Sequence, residues 1–167
     1  VVDITAAESF SLTTVGTFAH KLPAGADNNI VTKCYHFFCQ AMEKHGKATT
    51  PVALTLHKNL PIGSGLGSSA SSIVAAFAAL NGYFDCPFDE DTLLHMMGEL
   101  EGQISGSIHY DNVAPCYQGG MTLMTGAQEP VTLSLPLNPT WYYAICYSGI
   151  SVSTAAARDI LPKQIEM

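Results

Sequence analysis

The stretch Pro61-Ile62-Gly63-Ser64-Gly65-Leu66-Gly67-Ser68-Ser69-Ala70-Ser71 sets three glycines at alternate positions just before a pair of serines. Glycines so spaced let the backbone turn tightly and approach a ligand closely. The residues that follow are small and apolar and read as a helix. The loop's free N–H groups and the positive end of that helix therefore converge on one point, which makes a cradle for phosphate. Ser68 and Ser69 add hydroxyls that can bond phosphate or coordinate Mg²⁺. A Walker A loop would need Gly-Lys-Ser/Thr, and no lysine stands there. A dinucleotide fingerprint would need Gly-x-Gly-x-x-Gly and an acid ending a second strand, whereas Asp85 follows a helix and precedes Cys86-Pro87. A nucleophile elbow would need glycines two positions either side of the serine, which neither Ser64 nor Ser68 has. A flexible loop capped by serines is the plainer alternative, but it explains poorly why the following helix is so uniformly small and apolar.

A second polar constellation runs from Glu99 to Asn112. Glu99 and Glu101 are two residues apart on a helix, so they face different sides and one of them meets solvent. Spacing alone does not choose between them. His109, Asp111 and Asn112 follow in a loop. Two ligands in three residues with no third nearby argue against zinc, and a loop histidine satisfied by a carboxylate is the commoner arrangement. Near the end, Arg158 could serve an anion or simply face solvent.

These residues need elements to hold them. Residues 1–6 and 9–14 are β-branched and loosely alternating, which predicts a strand or hairpin at a sheet edge. Asp27 or Asn28 is placed to cap a helix from about Asn29 to Lys44, with Ile30, Cys34, Phe37, Phe38 and Ala41 at helical spacing and Gly46 as its stop. A strand Val52–His57 leads into the glycine loop. The helix from Ala70 to about Tyr83 carries no charge and reads as buried. Asp89 caps a third helix, Glu90 to about Gln103, and a polar loop spans 106–112. Strands are expected at 120–125, 131–135 and 141–147, then a helix capped by Ser153 or Thr154. Cys116 and Cys146 read as core residues. The order of elements predicts an α+β fold with helices on one face of a mixed sheet.

Composition narrows the function classes. The 167 residues suffice for one domain with a real core. The formal charge is −7, and the seven Lys and Arg are scattered, which argues against a nucleic-acid partner. No apolar run approaches the roughly 18 residues a membrane span requires. Five cysteines without a C-x-x-C suggest free thiols and a reducing, cytoplasmic setting.

Pro-x-x-x-Gly-Leu-Gly-Ser-Ser-Ala, ending at Ala70, resembles the second signature of the family of galactokinase, homoserine, mevalonate and phosphomevalonate kinases. Residues 98–116, Gly-Glu-Leu-Glu-Gly-Gln-Ile-Ser-Gly-Ser-Ile-His-Tyr-Asp-Asn-Val-Ala-Pro-Cys, with Gly119-Gly120 and Ser153-Thr154-Ala155-Ala156-Ala157-Arg158, resemble its homoserine-phosphorylating branch along essentially the whole chain. The resemblance implies the ribosomal protein S5 domain 2-like fold, ATP as donor, Mg²⁺ and L-homoserine as acceptor in threonine biosynthesis. It implies that Pro61 to Ser71 hold the phosphates, that Asn29 lies toward the adenine, and that Ser69 and Glu101 coordinate the metal. It further implies that His109 and Asp111 line the acceptor pocket, that Asn112 meets the acceptor hydroxyl and that Arg158 holds its carboxylate. Asn112 and Arg158 are thereby the expected catalytic pair. Asp111 could in principle act as a base, although the homoserine branch is expected to manage without one. Residues 1–150 would form the nucleotide-binding domain, incomplete at its start, and 151–167 the beginning of a connection to a second domain. A homodimer is a further expectation. The alternatives are a module that binds nucleotide or another anion without turnover and a kinase of the same family acting on another small alcohol.

Overall fold

A strand whose buried and half-buried residues strictly alternate has a neighbour on each side and a core on one face. Val52–His57 (β3) is such a strand. Val52, Leu54 and Leu56 are buried, while Ala53, Thr55 and His57 are half-exposed. The computed structural model describes residues 1–23, 25–105, 108–126, 129–150, 160 and 162. In it β3 is the middle of a three-stranded sheet, flanked by Val2–Ala6 (β1) and Ser11–Val15 (β2). β1 runs antiparallel to β3 with Val2 opposite Leu56, and β2 runs parallel with Ser11 opposite Ala53. The expected hairpin between the first two strands is therefore not formed. Each is a strand, but local alternation does not choose a partner, and both pair with the far more apolar β3.

A parallel pair requires a crossover, and Ile30–Lys44 (α1) supplies it. Its cap is Asn29, whose side-chain oxygen accepts from the Val31 N–H at 3.0 Å, rather than the expected Asp27 or Asn28 just before it. Short 3₁₀ turns at Ala19–Lys21 and Ala26–Asn28 fill the approach. Ser68–Tyr83 (α2) is the central helix, packed against α1 and β1 and against two later helices, Glu90–Ser105 (α3) and Val113–Gln118 (α4). Phe77 of α2 and Phe38 of α1 are fully buried, and Phe38 also meets Phe84 and Phe88 at ring-centroid distances of 5.9 and 5.4 Å. Each such ring contributes about 1.5–3 kcal/mol by leaving water. Asp89 caps α3 as expected, accepting from the Thr92 N–H at 2.8 Å.

The helix α4 follows the expected loop at 106–112, in a stretch for which the sequence predicts no element; it is short and carries Pro115 in its first turn, where proline is tolerated. Met121–Met124 (β4) and Thr132–Leu135 (β5) form a separate antiparallel hairpin. Residues 141–147 form no strand. They are exposed along their length and have no strand neighbour among the described residues, so their backbone has nothing to pair with. Cys116 and Cys146 are exposed rather than core, and all five cysteines are free thiols. The expected terminal helix from Ser153 lies outside the described residues. The α+β architecture, with helices over a mixed sheet, is as the sequence predicts.

Candidate functional site

Between the end of β3 and the start of α2 the chain has ten residues, 58–67, in which to reverse direction, and it does so through left-handed backbone. Gly63, Gly65 and Gly67 take φ of 68°, 74° and 64°. No atom lies within 4 Å of where a Cβ on Gly65 would stand, so conformation rather than crowding demands glycine there. Gly67 is the residue before α2 and caps it with no side chain, which leaves the first N–H groups of the helix open to a ligand.

The serines divide their work. Ser64 donates its hydroxyl to the Pro61 carbonyl at 2.9 Å, and buried Ser68 donates to the Leu60 carbonyl at 3.2 Å. Ser71 and Ser72 donate back to the Ser68 carbonyl. These four rigidify the loop. Ser69 is exposed, and its hydroxyl makes no hydrogen bond among the described residues.

The loop opens onto a cavity of about 570 Å³. Ile62, Gly63, Ser64, Gly65, Gly67, Ser68, Ser69 and Ala70 line it from the loop side. Asn29, Glu101 and Asn112 line it from three other elements. Pro61 is buried beneath the loop, and Leu66 and Ser71 do not reach the cavity wall. Asn29 lines the cavity, and its carboxamide oxygen is engaged in capping α1. The structure chooses between the two glutamates: Glu101 is buried and Glu99 exposed. Burial holds the Glu101 carboxyl above its ordinary pKa, with Asp111 adding to the rise and His109 opposing it. A cation in the cavity would relieve that burial. Ser69 and Glu101 offer two hard oxygens, the kind and number Mg²⁺ takes from a protein when phosphates and water complete its shell. No cluster of three or more acidic, His or Cys ligands occurs among the described residues, so a site built wholly of side chains is not available there.

His109 and Asp111 do not line this cavity. They pair with each other, Nδ1 to Oδ1 at 2.6 Å. Asp111 faces a neighbouring cleft of about 620 Å³ with Pro115, the residues of β4, Leu137 and Tyr143. Asn112 stands between the two spaces, its Oδ1 3.5 Å from where a Cβ on Gly67 would be. Arg158 lies outside the described residues.

Sequence reasoning missed one buried lysine on the cavity wall. Lys58 follows β3 directly, is 4% exposed and lines the cavity. Its Nζ donates to the Ser68 carbonyl at 2.5 Å and to the Ser72 hydroxyl at 2.8 Å. Burial pulls its pKa down from 10.5 to about 8. A cation at the positive end of a helix is unusual, and an anionic ligand would balance it. The signal was present as the lysine three residues before Pro61, but a lysine at a strand end ordinarily reads as solvated.

The GHMP kinases N terminal domain matches residues 29–120. A homoserine kinase from Cytophaga hutchinsonii is 31% identical and superposes with a TM-score of 0.79 over 99% of this chain and 51% of its own. The chain thus spans about half the length of that enzyme. Phosphomevalonate kinase from Streptococcus pneumoniae, solved with phosphomevalonate and AMPPNP, superposes at a TM-score of 0.58 with 14% identity, covering 72% of this chain and 38% of its own. A mevalonate kinase superposes at 0.55 with 17% identity, over 72% of this chain and 42% of its own. The latter two likenesses are of fold.

Proposed function

Because the chain belongs to the GHMP kinases and carries their N-terminal domain, we propose that it holds the nucleotide site and part of the acceptor site of an ATP-dependent, Mg²⁺-requiring homoserine kinase. The observation that carries this reading is the convergence of the left-handed glycine loop, Ser69 and Glu101 on one cavity at the start of α2. In the reaction the hydroxyl oxygen of L-homoserine bonds to the γ-phosphorus of ATP as the bond to the β-phosphate bridging oxygen breaks. The products are O-phospho-L-homoserine, ADP and a proton. Such transfers depend mainly on positioning and charge stabilisation.

Each residue has a part in the proposal. The open N–H groups at the start of α2 and the Lys58 ammonium take phosphate charge. Ser69 and Glu101 would hold Mg²⁺, which would supply positive charge against the phosphates. Asn112 orients the acceptor hydroxyl, Asp111 with His109 meets the ammonium, and Arg158 grips the carboxylate in a fork. Residues 1–150 would constitute the nucleotide-binding domain and 151–167 the start of a connection. A second reading is nucleotide binding without turnover by this chain alone, favoured by its spanning half the length of its homoserine kinase relative.

Calorimetric titration with ADP, with and without Mg²⁺, tests the nucleotide part. Magnesium-dependent binding is expected. L-homoserine is then titrated into the Mg²⁺–AMPPNP complex, and mevalonate serves as the competing alcohol. Binding of mevalonate in preference to L-homoserine would overturn the acceptor, and no nucleotide binding by the folded chain would overturn the cradle.

A further inference from the structure

Two glycines four residues apart in the middle of a helix weaken it by about 1 kcal/mol each relative to alanine. Gly98 and Gly102 of α3 are such a pair, and neither needs a left-handed backbone. What they supply is room. A Cβ on Gly98 would stand 2.7 Å from Tyr110 Cδ1 and 2.8 Å from its Cζ, inside the ring's own contact distance. A Cβ on Gly102 would stand 2.9 Å from the Cα of Ile108 and 3.0 Å from its backbone nitrogen. Ile108 and Tyr110 therefore lie against bare helix backbone, closer than any side chain would permit.

The contact is directional as well as close. Residues 95, 98 and 102 share one face of α3. At its upper end His95 Nδ1 is 3.2 Å from the Tyr110 hydroxyl, and the two rings meet edge to face with centroids 6.1 Å apart. Tyr110 is thus held at its tip by His95 and along its ring by Gly98, while Ile108 is held at its backbone by Gly102. The next residues are Asp111, in the second cleft, and Asn112, at the boundary of the loop cavity. Asn112 also begins α4, and the Ala114 N–H donates to the Tyr110 carbonyl at 2.9 Å. Where Tyr110 sits therefore decides where the polar pair after it points.

We propose that Tyr110, latched in the Gly98–Gly102 slot and onto His95, is a positioning residue that sets Asp111 and Asn112 on the acceptor side of the site. This deepens the reading given above and rests on Asp111 and Asn112 serving the acceptor. Tyr110 itself touches neither substrate. The nucleotide phosphates are met by a different segment, the glycine loop and α2, while Glu101 shares α3 with the slot.

The test compares wild type, Tyr110→Ala, Tyr110→Phe and Gly98→Ala in the full 167-residue chain. Hydrogen exchange across 108–116 and the affinities for Mg²⁺–AMPPNP and for L-homoserine are measured on each. Tyr110→Ala and Gly98→Ala are expected to speed exchange at 108–116 by about tenfold or more and to weaken L-homoserine by a similar factor. In Tyr110→Ala, which leaves α3 itself unaltered, Mg²⁺–AMPPNP affinity should stay within about twofold. Tyr110→Phe keeps the ring in its slot but loses the bond to His95, so its exchange and its acceptor affinity should both fall between those of wild type and Tyr110→Ala; should the other variants fail to fold, Tyr110→Phe must still show faster exchange than wild type with nucleotide binding retained. Parallel loss of both ligands, or unchanged exchange in Tyr110→Ala, would overturn the latch. If wild type binds the nucleotide but no L-homoserine, the acceptor reading fails by itself. The latch then stands on accelerated exchange with nucleotide binding retained, and falls without it.

Discussion

At the residue scale the site rests on groups whose burial opposes their charge. Glu101→Gln removes a buried carboxylate while keeping its shape. Because the folded pKa of Glu101 is raised, the fold loses stability as pH rises from the ordinary carboxylate range through that raised value. The glutamine variant should therefore resist urea better than wild type at neutral pH yet lose the Mg²⁺ dependence of ADP binding. Lys58 has the opposite sign. Its folded pKa of about 8 lies below the unfolded value of 10.5, so stability attributable to it rises with pH between those two values and is absent below about 8. A bound phosphate favours the ammonium, so ADP affinity should fall as pH rises through about 8, and Lys58→Met should flatten both profiles. Ser69→Ala should weaken Mg²⁺–ADP by about 10- to 100-fold, the loss of one charge-assisted ligand, while Cys39→Ala stays near wild type. Calorimetry reads each. Of these residues Ser69 was legible in its motif. The resemblance named Glu101, but spacing could not choose it over Glu99, because burial is decided by neighbours that are distant in sequence. Lys58 was overlooked because the carbonyl and hydroxyl that hold it belong to the first turn of α2.

At the scale of elements, the glycine loop was readable because its conformation is local. Alternate glycines before an apolar helix allow few backbone solutions, and the φ values at 63, 65 and 67 follow. Gly65→Ala meets no neighbour but must adopt φ near 74°, which costs about 1–2 kcal/mol. A chemical melt should show that modest loss, and ADP binding should weaken as the loop departs from its shape. Phe38→Ala is the contrast: about 3–5 kcal/mol lost from the core. The helices over 30–105 were legible from period and caps for the same local reason. Strand pairing was not, since β1 and β2 alternate alike whether they pair with each other or with β3. The strand expected at 141–147 failed because an apolar run describes what a segment could bury and not whether anything lies beside it.

For the molecule as a whole, the second half differs from the first. The core gathers the helices and β3, whereas the region from Met121 onward exposes Leu123, Leu133, Trp141, Tyr143 and Ile145. Apolar surface of that kind associates. Sedimentation should show mass rising with concentration, and Trp141 emission should shift to the blue as it does; a monomer throughout would count against an apolar contact there. The sheet has a further consequence, for the order in which the chain can be made. Its first two strands lie in sequence before a helix and its middle strand after it, so on a ribosome both edges emerge with no centre to join. At about 5–20 residues per second, the stretch from Val15 to Val52 takes on the order of seconds to appear. For that interval the nascent protein has two unpaired strands and the crossover helix α1, and the phosphate loop follows only once β3 has closed the sheet.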